Sequence, residues 1–438
     1  MVEDVVLRMD KTSSRIRLLP IVVLCAAGLV ATACTSSGSP SGGGTGSGHH
    51  SGGKSTSNSP KPADAGLTIS PATGRKDVNP AKGITVTATK GKIKNVTVTG
   101  DPVTGSLNAA STAWHSRWTL PVDAKLTVTA TAVTPSGETV KKTSTFTTLN
   151  PSATFTTMIF EGYQLTYGVG MPILLEFSHP ITNKAAVERS LQITTSKPVA
   201  GAWYWDTDTT LAFRPRQYWP ANTTVSFIGH LNGVEGAPGV YGMHTLTQQF
   251  RIGRSLIVVA STKSHRMRLY RGGKLFRNWP ISSGRPGDNT PNGTYLTIEK
   301  GNPVLMKGPG YRIEVPWSVR FTWSGDYLHD AFWSVTQQGF TNVSHGCVNM
   351  APADAEFYYK MERPGDPVTI VGSPRPGKWD NGWTYWFLSW SQVLKGSALH
   401  KAVLAGPNGS SFVDAATLSA PTGSAPVSQP QPGNAWAS

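Results

Sequence analysis

The sequence predicts a mainly β protein: two β-sandwich modules in series, then a mostly β domain that carries a short helix. Three observations lead there. Apolar residues alternate with threonines at period two, as in Ile84-Thr85-Val86-Thr87-Ala88 and Leu126-Thr127-Val128-Thr129-Ala130. Turn-forming clusters such as Val78-Asn79-Pro80 and Pro135-Ser136-Gly137 separate the runs. The best helix candidate is one short segment, Pro352 to Glu362, with Phe357, Tyr358 and Met361 as its apolar stripe and Arg363-Pro364-Gly365 as its stop.

Length and charge set the outer bounds. The chain has 438 residues, and at ~100–200 residues per domain it holds two to four domains. The net charge of +15 and a pI near 9.7 favour anionic partners. Nucleic acid, a membrane surface and an anionic wall polymer share that sign. No basic–aromatic motif or zinc-finger spacing supports nucleic acid, so none is expected. No H-E-x-x-H pattern occurs, and neither a metal nor another cofactor is expected.

Residues 1–34 read as a leader. Lys11, Arg15 and Arg17 form a positive start, and Leu18 to Val30 is apolar but short for a spanning helix at ~20 residues. Ala31-Thr32-Ala33-Cys34 is similar to a lipobox, with Ala31 where leucine is usual. The expectation is a lipoprotein signal peptide, lipidation at Cys34 and a chain anchored to the outer face of the cell membrane. Plain secretion after Ala33 is the competing reading. Residues 35–65 are a Ser/Gly-rich tether that buries too little apolar surface to fold. His49-His50 inside it reads as a solvated pair.

Residues 66–150 form the first module, an Ig-like sandwich in architecture, with Trp114 and Trp118 in its core or rim. Residues 151–253 form the second. Its strands include Ile173 to Phe177, Leu211 to Phe213 and Val225 to Ile228, with a helical turn at Ala185 to Glu188. Asn222-Thr223-Thr224-Val225 echoes Ala124-Lys125-Leu126-Thr127, so the two modules read as diverged copies of one sandwich. Trp203-Tyr204-Trp205 reads as inter-sheet packing, with glycan stacking as the weaker alternative.

Residues 254–373 form the third domain. Leu256 to Val259 is a buried-type strand, and Arg271-Gly272-Gly273 turns a hairpin. Residues 374–406 are rich in tryptophan, with Trp379, Trp383, Trp386 and Trp390 as an aromatic belt. Residues 407–438 are Ser/Pro/Gly-rich and are expected to be disordered.

The chemistry centres on Ser344-His345-Gly346-Cys347-Val348-Asn349. Cys347 is the only cysteine outside the leader, since Cys25 and Cys34 fall within it. His329 stands eighteen positions upstream. A lone thiol with histidines nearby points to a thiolate nucleophile. A free cysteine is more often a small buried hydrophobe. Here burial beside His345, Gly346 and Asn349 would demand partners for several polar groups. An ordinary thiol near pKa ~8.5 needs a base, which His329 supplies.

His329, a gap of fourteen residues and then Ser-His-Gly-Cys-Val-Asn resembles the signature of the L,D-transpeptidase catalytic domain. The resemblance runs from about Ser255 to Ser373. It implies a mostly β catalytic fold behind Ig-like modules, action on peptidoglycan stem peptides and inactivation by carbapenem inhibitors. It implies Cys347 as nucleophile, His329 as base, and His345 and Gly346 as shapers of the oxyanion turn. Ser324, Gly325, Tyr311, Met306, Asn349 and Trp333 would line or support the substrate cleft. A tetrapeptide stem would acylate the thiol, and a neighbouring stem's amine would resolve the thioester as a 3→3 cross-link. Water as acceptor would make the protein an L,D-carboxypeptidase, and a non-catalytic wall-binding scaffold is the reading from another class.

Two departures stand out. Asp330 occupies a position where relatives carry a small residue whose carbonyl orients the histidine. Its carboxylate is expected to raise the pKa of His329, so Asp330→Ser would alter the pH optimum. The flap from Asn302 to Glu314 is expected to be short.

Overall fold

A computed structural model describes residues 65–308 and 310–418. The alternation of the first module becomes a sandwich of a four-stranded and a three-stranded sheet. Leu126, Val128, Ala130 and Ala132 all face inward and are fully buried, as period-two geometry requires. Ile84, Val86, Trp114 and Phe146 close the same core.

The second sandwich is not a copy of the first. Its principal sheets have four and six strands, and it contains parallel pairs, Thr166–Tyr167 with Arg251–Ile252 among them. Trp203 and Trp205 lie in its core at 1% and 7% exposure, so packing accounts for the aromatic cluster. The modules meet where Trp118 stacks on His230, ring centroids 3.9 Å apart. Asn232 adds hydrogen bonds there to Thr119 and Val122.

Two sheets build the third domain. Five strands, ordered Lys274–Pro280, Arg266–Arg271, Leu256–Ser261, Pro367–Val371 and Gly293–Leu296, form the scaffold. The Gly272 and Gly273 turn has positive φ at both positions, which explains the pair. A four-stranded sheet runs Glu299–Gly301, Ser318–Arg320, Tyr327–Asp330 and Val348–Met350. Helix Pro352–Met361 packs Ala355 and Tyr358 between them. The flap is a two-stranded hairpin, Val304–Gly308 against Tyr311–Val315.

The domain sits against the second sandwich through backbone contacts. Gly168 N–H donates to Pro364 at 2.8 Å and Gly170 N–H to Gly365 at 2.9 Å. A Cβ at Gly168 would lie 2.2 Å from the Asp366 nitrogen, so only glycine permits this approach.

The C-terminal segment corrects one expectation. Residues 407–418 are not a disordered tail: Gly409–Val413 is a strand, paired with Ala402–Gly406, which in turn pairs with Val199–Gly201. The two strands extend the six-stranded sheet of the second sandwich, and Val403 and Ala405 enter its core. The Trp-rich belt also serves that sandwich, not the catalytic domain alone. Trp386 donates to Gly170 O at 2.8 Å, and Trp383 meets both Phe160 and Trp323 edge-on. The leader, Cys34, the tether and residues 419–438 lie outside the described residues.

Candidate active site

Parallel pairing builds the site. Strand Tyr327–Asp330 pairs with Val348–Met350 in the register Leu328 to Val348 and His329 to Asn349. Alternate residues share a face. His329 and Asn349 therefore point the same way, and Cys347 sits at the entry to the second strand.

His329 is buried, and its Nδ1 contacts the Asp330 carbonyl oxygen at 2.7 Å. A carbonyl only accepts, so Nδ1 carries the proton and Nε2 is left as an acceptor. Burial pushes the imidazole down to about 4, opposed by that hydrogen bond. Trp333 lies beside the ring, centroids 6.0 Å apart and nearly parallel.

The expected action of the Asp330 carboxylate on His329 is absent. Neighbouring strand residues point to opposite faces, so the carboxyl faces away, and burial raises its own pKa against a lowering hydrogen bond from the Phe332 backbone. Only its carbonyl serves the histidine.

Cys347 is half-buried, and its thiol donates to the Gly325 carbonyl at 3.8 Å. Burial pushes it up to about 12, helped by the negative charge of Asp326 and opposed by a hydrogen bond from the Tyr327 backbone. The resting pair is a neutral thiol and a neutral imidazole. Among the described residues no hydrogen bond joins them. Proton transfer to Nε2 would require the sulfur to leave the Gly325 carbonyl.

The Ser-His-Gly-Cys turn is held from within. Ser344 Oγ donates to Cys347 O at 2.6 Å and accepts from Gly346 N–H at 3.2 Å. Thr290 Oγ1 donates to Gly346 O at 2.6 Å and accepts from Gly284 N–H at 2.9 Å. Gly346 adopts φ 133°, a conformation for glycine. Its N–H is committed to Ser344 and is not free for an oxyanion, so Gly346 shapes the turn through its backbone conformation. The N–H groups of His345 and Cys347 have no protein acceptor among the described residues, and they remain the candidates.

The flap closes one wall. Opposite residues in a hairpin share a face, so Tyr311 (opposite Gly308) and Met306 (opposite Ile313) project on the same side. From that side Tyr311 stacks on His345, centroids 4.9 Å apart. Asn349 is a further correction. Its side chain is buried and donates to Ser334 Oγ at 2.9 Å, so it braces the turn bearing Trp333 instead of lining the cleft.

Three residues carried no signal in the sequence reading. Asp326 accepts from Thr322 Oγ1 at 2.7 Å and Ser324 Oγ at 3.0 Å. Asn381, in the Trp-rich belt, accepts from Ser324 N–H at 2.7 Å and donates to its Oγ at 2.9 Å. Thr290 is the third. The Thr322-x-Ser324-x-Asp326 alternation was the only visible hint.

Residues 75–235 match the bacterial Ig domain family, and residues 255–370 match the L,D-transpeptidase catalytic domain family. L,D-transpeptidase 5 of Mycobacterium tuberculosis is 34% identical over 359 residues, 78% of this chain and 78% of that protein. L,D-transpeptidase 2 of the same species is 30% identical over 348 residues, 76% of this chain and 85% of that protein. A solved structure of the LD transpeptidase LdtMt1 in complex with imipenem is 34% identical, covers 50% of this chain and 100% of that one, and aligns with a TM-score of 0.43. With this much of both sequences in register and the full histidine-to-cysteine pattern in place, the chain belongs to the L,D-transpeptidase family.

Proposed function

We propose that the protein forms 3→3 cross-links in peptidoglycan through a thioester on Cys347. His329 Nε2 takes the thiol proton as Sγ bonds to the carbonyl carbon of the donor's third residue. The fourth residue leaves as an amine and takes that proton. An acceptor amine then attacks the thioester, gives its proton to Nε2, and Cys347 leaves and is reprotonated. The N–H groups of His345 and Cys347 stabilise the oxyanion, for which one donor contributes roughly 3 kcal/mol in other enzymes.

One observation supports this reading above the rest: the Nδ1 contact to Asp330 fixes the histidine tautomer and leaves Nε2 as an acceptor, on a strand paired with the one that Cys347 enters. A low imidazole pKa and a high thiol pKa suit concerted base catalysis rather than a stored thiolate. The +15 charge suits an anionic wall. We further propose export and anchoring through Cys34, and carbapenems as acylating inhibitors, as the imipenem complex of a relative suggests.

The test is product analysis after incubation with tetrapeptide muropeptides. Dimers linked between two third residues support the reading. Tripeptide alone assigns the L,D-carboxypeptidase, and unchanged substrate assigns the wall-binding scaffold.

A further inference from the structure

Beside the sulfur sits a buried carboxylate with one unengaged oxygen. Asp326 is 7% exposed. Its Oδ2 accepts from Thr322 and Ser324, and Thr322 Oγ1 also accepts the Asp326 N–H at 2.8 Å. These bonds fix the carboxylate plane and turn Oδ1 toward the Gly346 turn, where a Cβ on Gly346 would lie 2.5 Å away. Among the described residues Oδ1 accepts no hydrogen bond and Asp326 forms no ion pair. The nearby acid Asp288 differs, because Arg285 holds it at 2.8 Å.

Little of this side chain meets solvent, yet Oδ1 is not among the fully buried oxygens that lack a partner, so it is a negative oxygen that a cation in the cleft can approach. Two hydroxyls complete one oxygen only. Asp326 is bonded by Ser324, and its charge is felt by both Tyr311 and Cys347, whose thiol meets Gly325, so whatever reaches Oδ1 lies close to the acylated carbonyl. We infer that Asp326 Oδ1 is a binding point for a primary ammonium of the stem peptide and makes Asp326 a specificity-determining residue. This rests on the acyl-transfer reading of the same cleft.

Two sources of that ammonium exist: the side chain of the donor's third residue, and the acceptor's amine, which docks as an ammonium and gives one proton to solvent before its lone pair attacks. Either one has a consequence for the thiol. The Asp326 charge opposes ionisation of Cys347 and also acts on Tyr311. A cation at Oδ1 offsets that charge, so occupation of the site eases proton transfer from sulfur.

The test uses the full chain and two synthetic tetrapeptides, one with a free amine on the third side chain and one with that amine acetylated. Acylation of Cys347 is followed by mass in single turnover. Deacylation is then partitioned between an added amine acceptor and water. A donor-side site predicts that acetylation slows wild-type acylation about tenfold or more, and that Asp326→Asn acylates both peptides at similar rates. An acceptor-side site predicts instead that Asp326→Asn lowers the ratio of aminolysis to hydrolysis about tenfold. Wild type that acylates with both peptides alike, together with an unchanged partition ratio in Asp326→Asn, overturns the role of Asp326 alone. Acetylation that costs wild type and Asp326→Asn equally, with an unchanged ratio, overturns it too. Wild type that forms no acyl-enzyme with either peptide overturns the acyl-transfer reading, and the inference with it. The wild-type comparison of the two peptides stands whether or not the variant folds.

Discussion

His329 is oriented by the backbone of its own neighbour: Nδ1 donates to the Asp330 carbonyl oxygen at 2.7 Å, while the Asp330 carboxyl points off the opposite face. Any residue at 330 offers the same carbonyl. Asp330→Ser is therefore expected to keep kcat/KM within about threefold and to leave the acid limb of the pH–rate profile in place. One Asp330 carboxyl oxygen is also buried without a partner. Its removal is expected to raise stability by about 1 kcal/mol, read from the denaturant midpoint.

The pH dependence follows from the two neutral partners. Burial holds His329 near 4, below the ~6.5 of an exposed histidine. The base stays unprotonated until the pH falls toward 4, so kcat/KM should keep its value through pH 6 and drop only below 5. The unfolded chain binds a proton there that the folded chain refuses. This group's contribution to stability is thus present above ~6.5 and lost as the pH falls toward the folded value. Cys347 is pushed the other way, to about 12. Its alkylation rate by iodoacetamide should still climb above pH 9 and show no plateau near ~8.5.

The catalytic turn depends on a residue far away in sequence. Thr290 joins Gly284 N–H to Gly346 O through one hydroxyl. Thr290→Val leaves both groups without that partner in a buried site. Stability is expected to fall by ~1–3 kcal/mol, and acylation by about tenfold or more as the turn loosens. Thr290→Ser keeps the hydroxyl and should restore most of both, which separates the hydrogen bonds from packing.

Asn381 ties the Trp-rich belt to the cleft through two bonds to Ser324. Asn381→Ala should raise KM several-fold with little change in the melting temperature. Truncation after Ser373 should do something different. It removes Trp383, Trp386, Val403 and Ala405 from the core of the second sandwich, and burial of such side chains contributes ~1.5–3 kcal/mol each. A cooperative melt of the truncated chain within a few degrees of the full one would show that the belt is dispensable.

Much of the architecture was legible because its signal is local. Alternation alone oriented Val86 and Leu126 correctly, the Gly272-Gly273 pair announced its hairpin, and Pro352 opened the helix. The pattern around Cys347 is local for the same reason: the turn from Ser344 runs directly into the strand Val348–Met350. What escaped was non-local. Nothing near Ala402 says that it joins a sheet some two hundred residues earlier, and a Ser/Gly-rich texture disguised the strand at Gly409–Val413. Thr290, Asp326 and Asn381 are polar residues in loops, and only tertiary contacts distinguish them from solvated ones. Asn349 was misplaced because a motif position fixes the residue type but not the direction of its amide.

Intact mass after incubation with a carbapenem tests the central claim most directly, with wild type, Cys347→Ala and His329→Ala compared at one protein concentration. Acyl transfer to Cys347 assisted by His329 predicts one adduct per wild-type chain, none on Cys347→Ala, and formation on His329→Ala slowed by about 100-fold or more. An adduct of equal mass on Cys347→Ala, or a wild-type chain that stays unmodified, would contradict it.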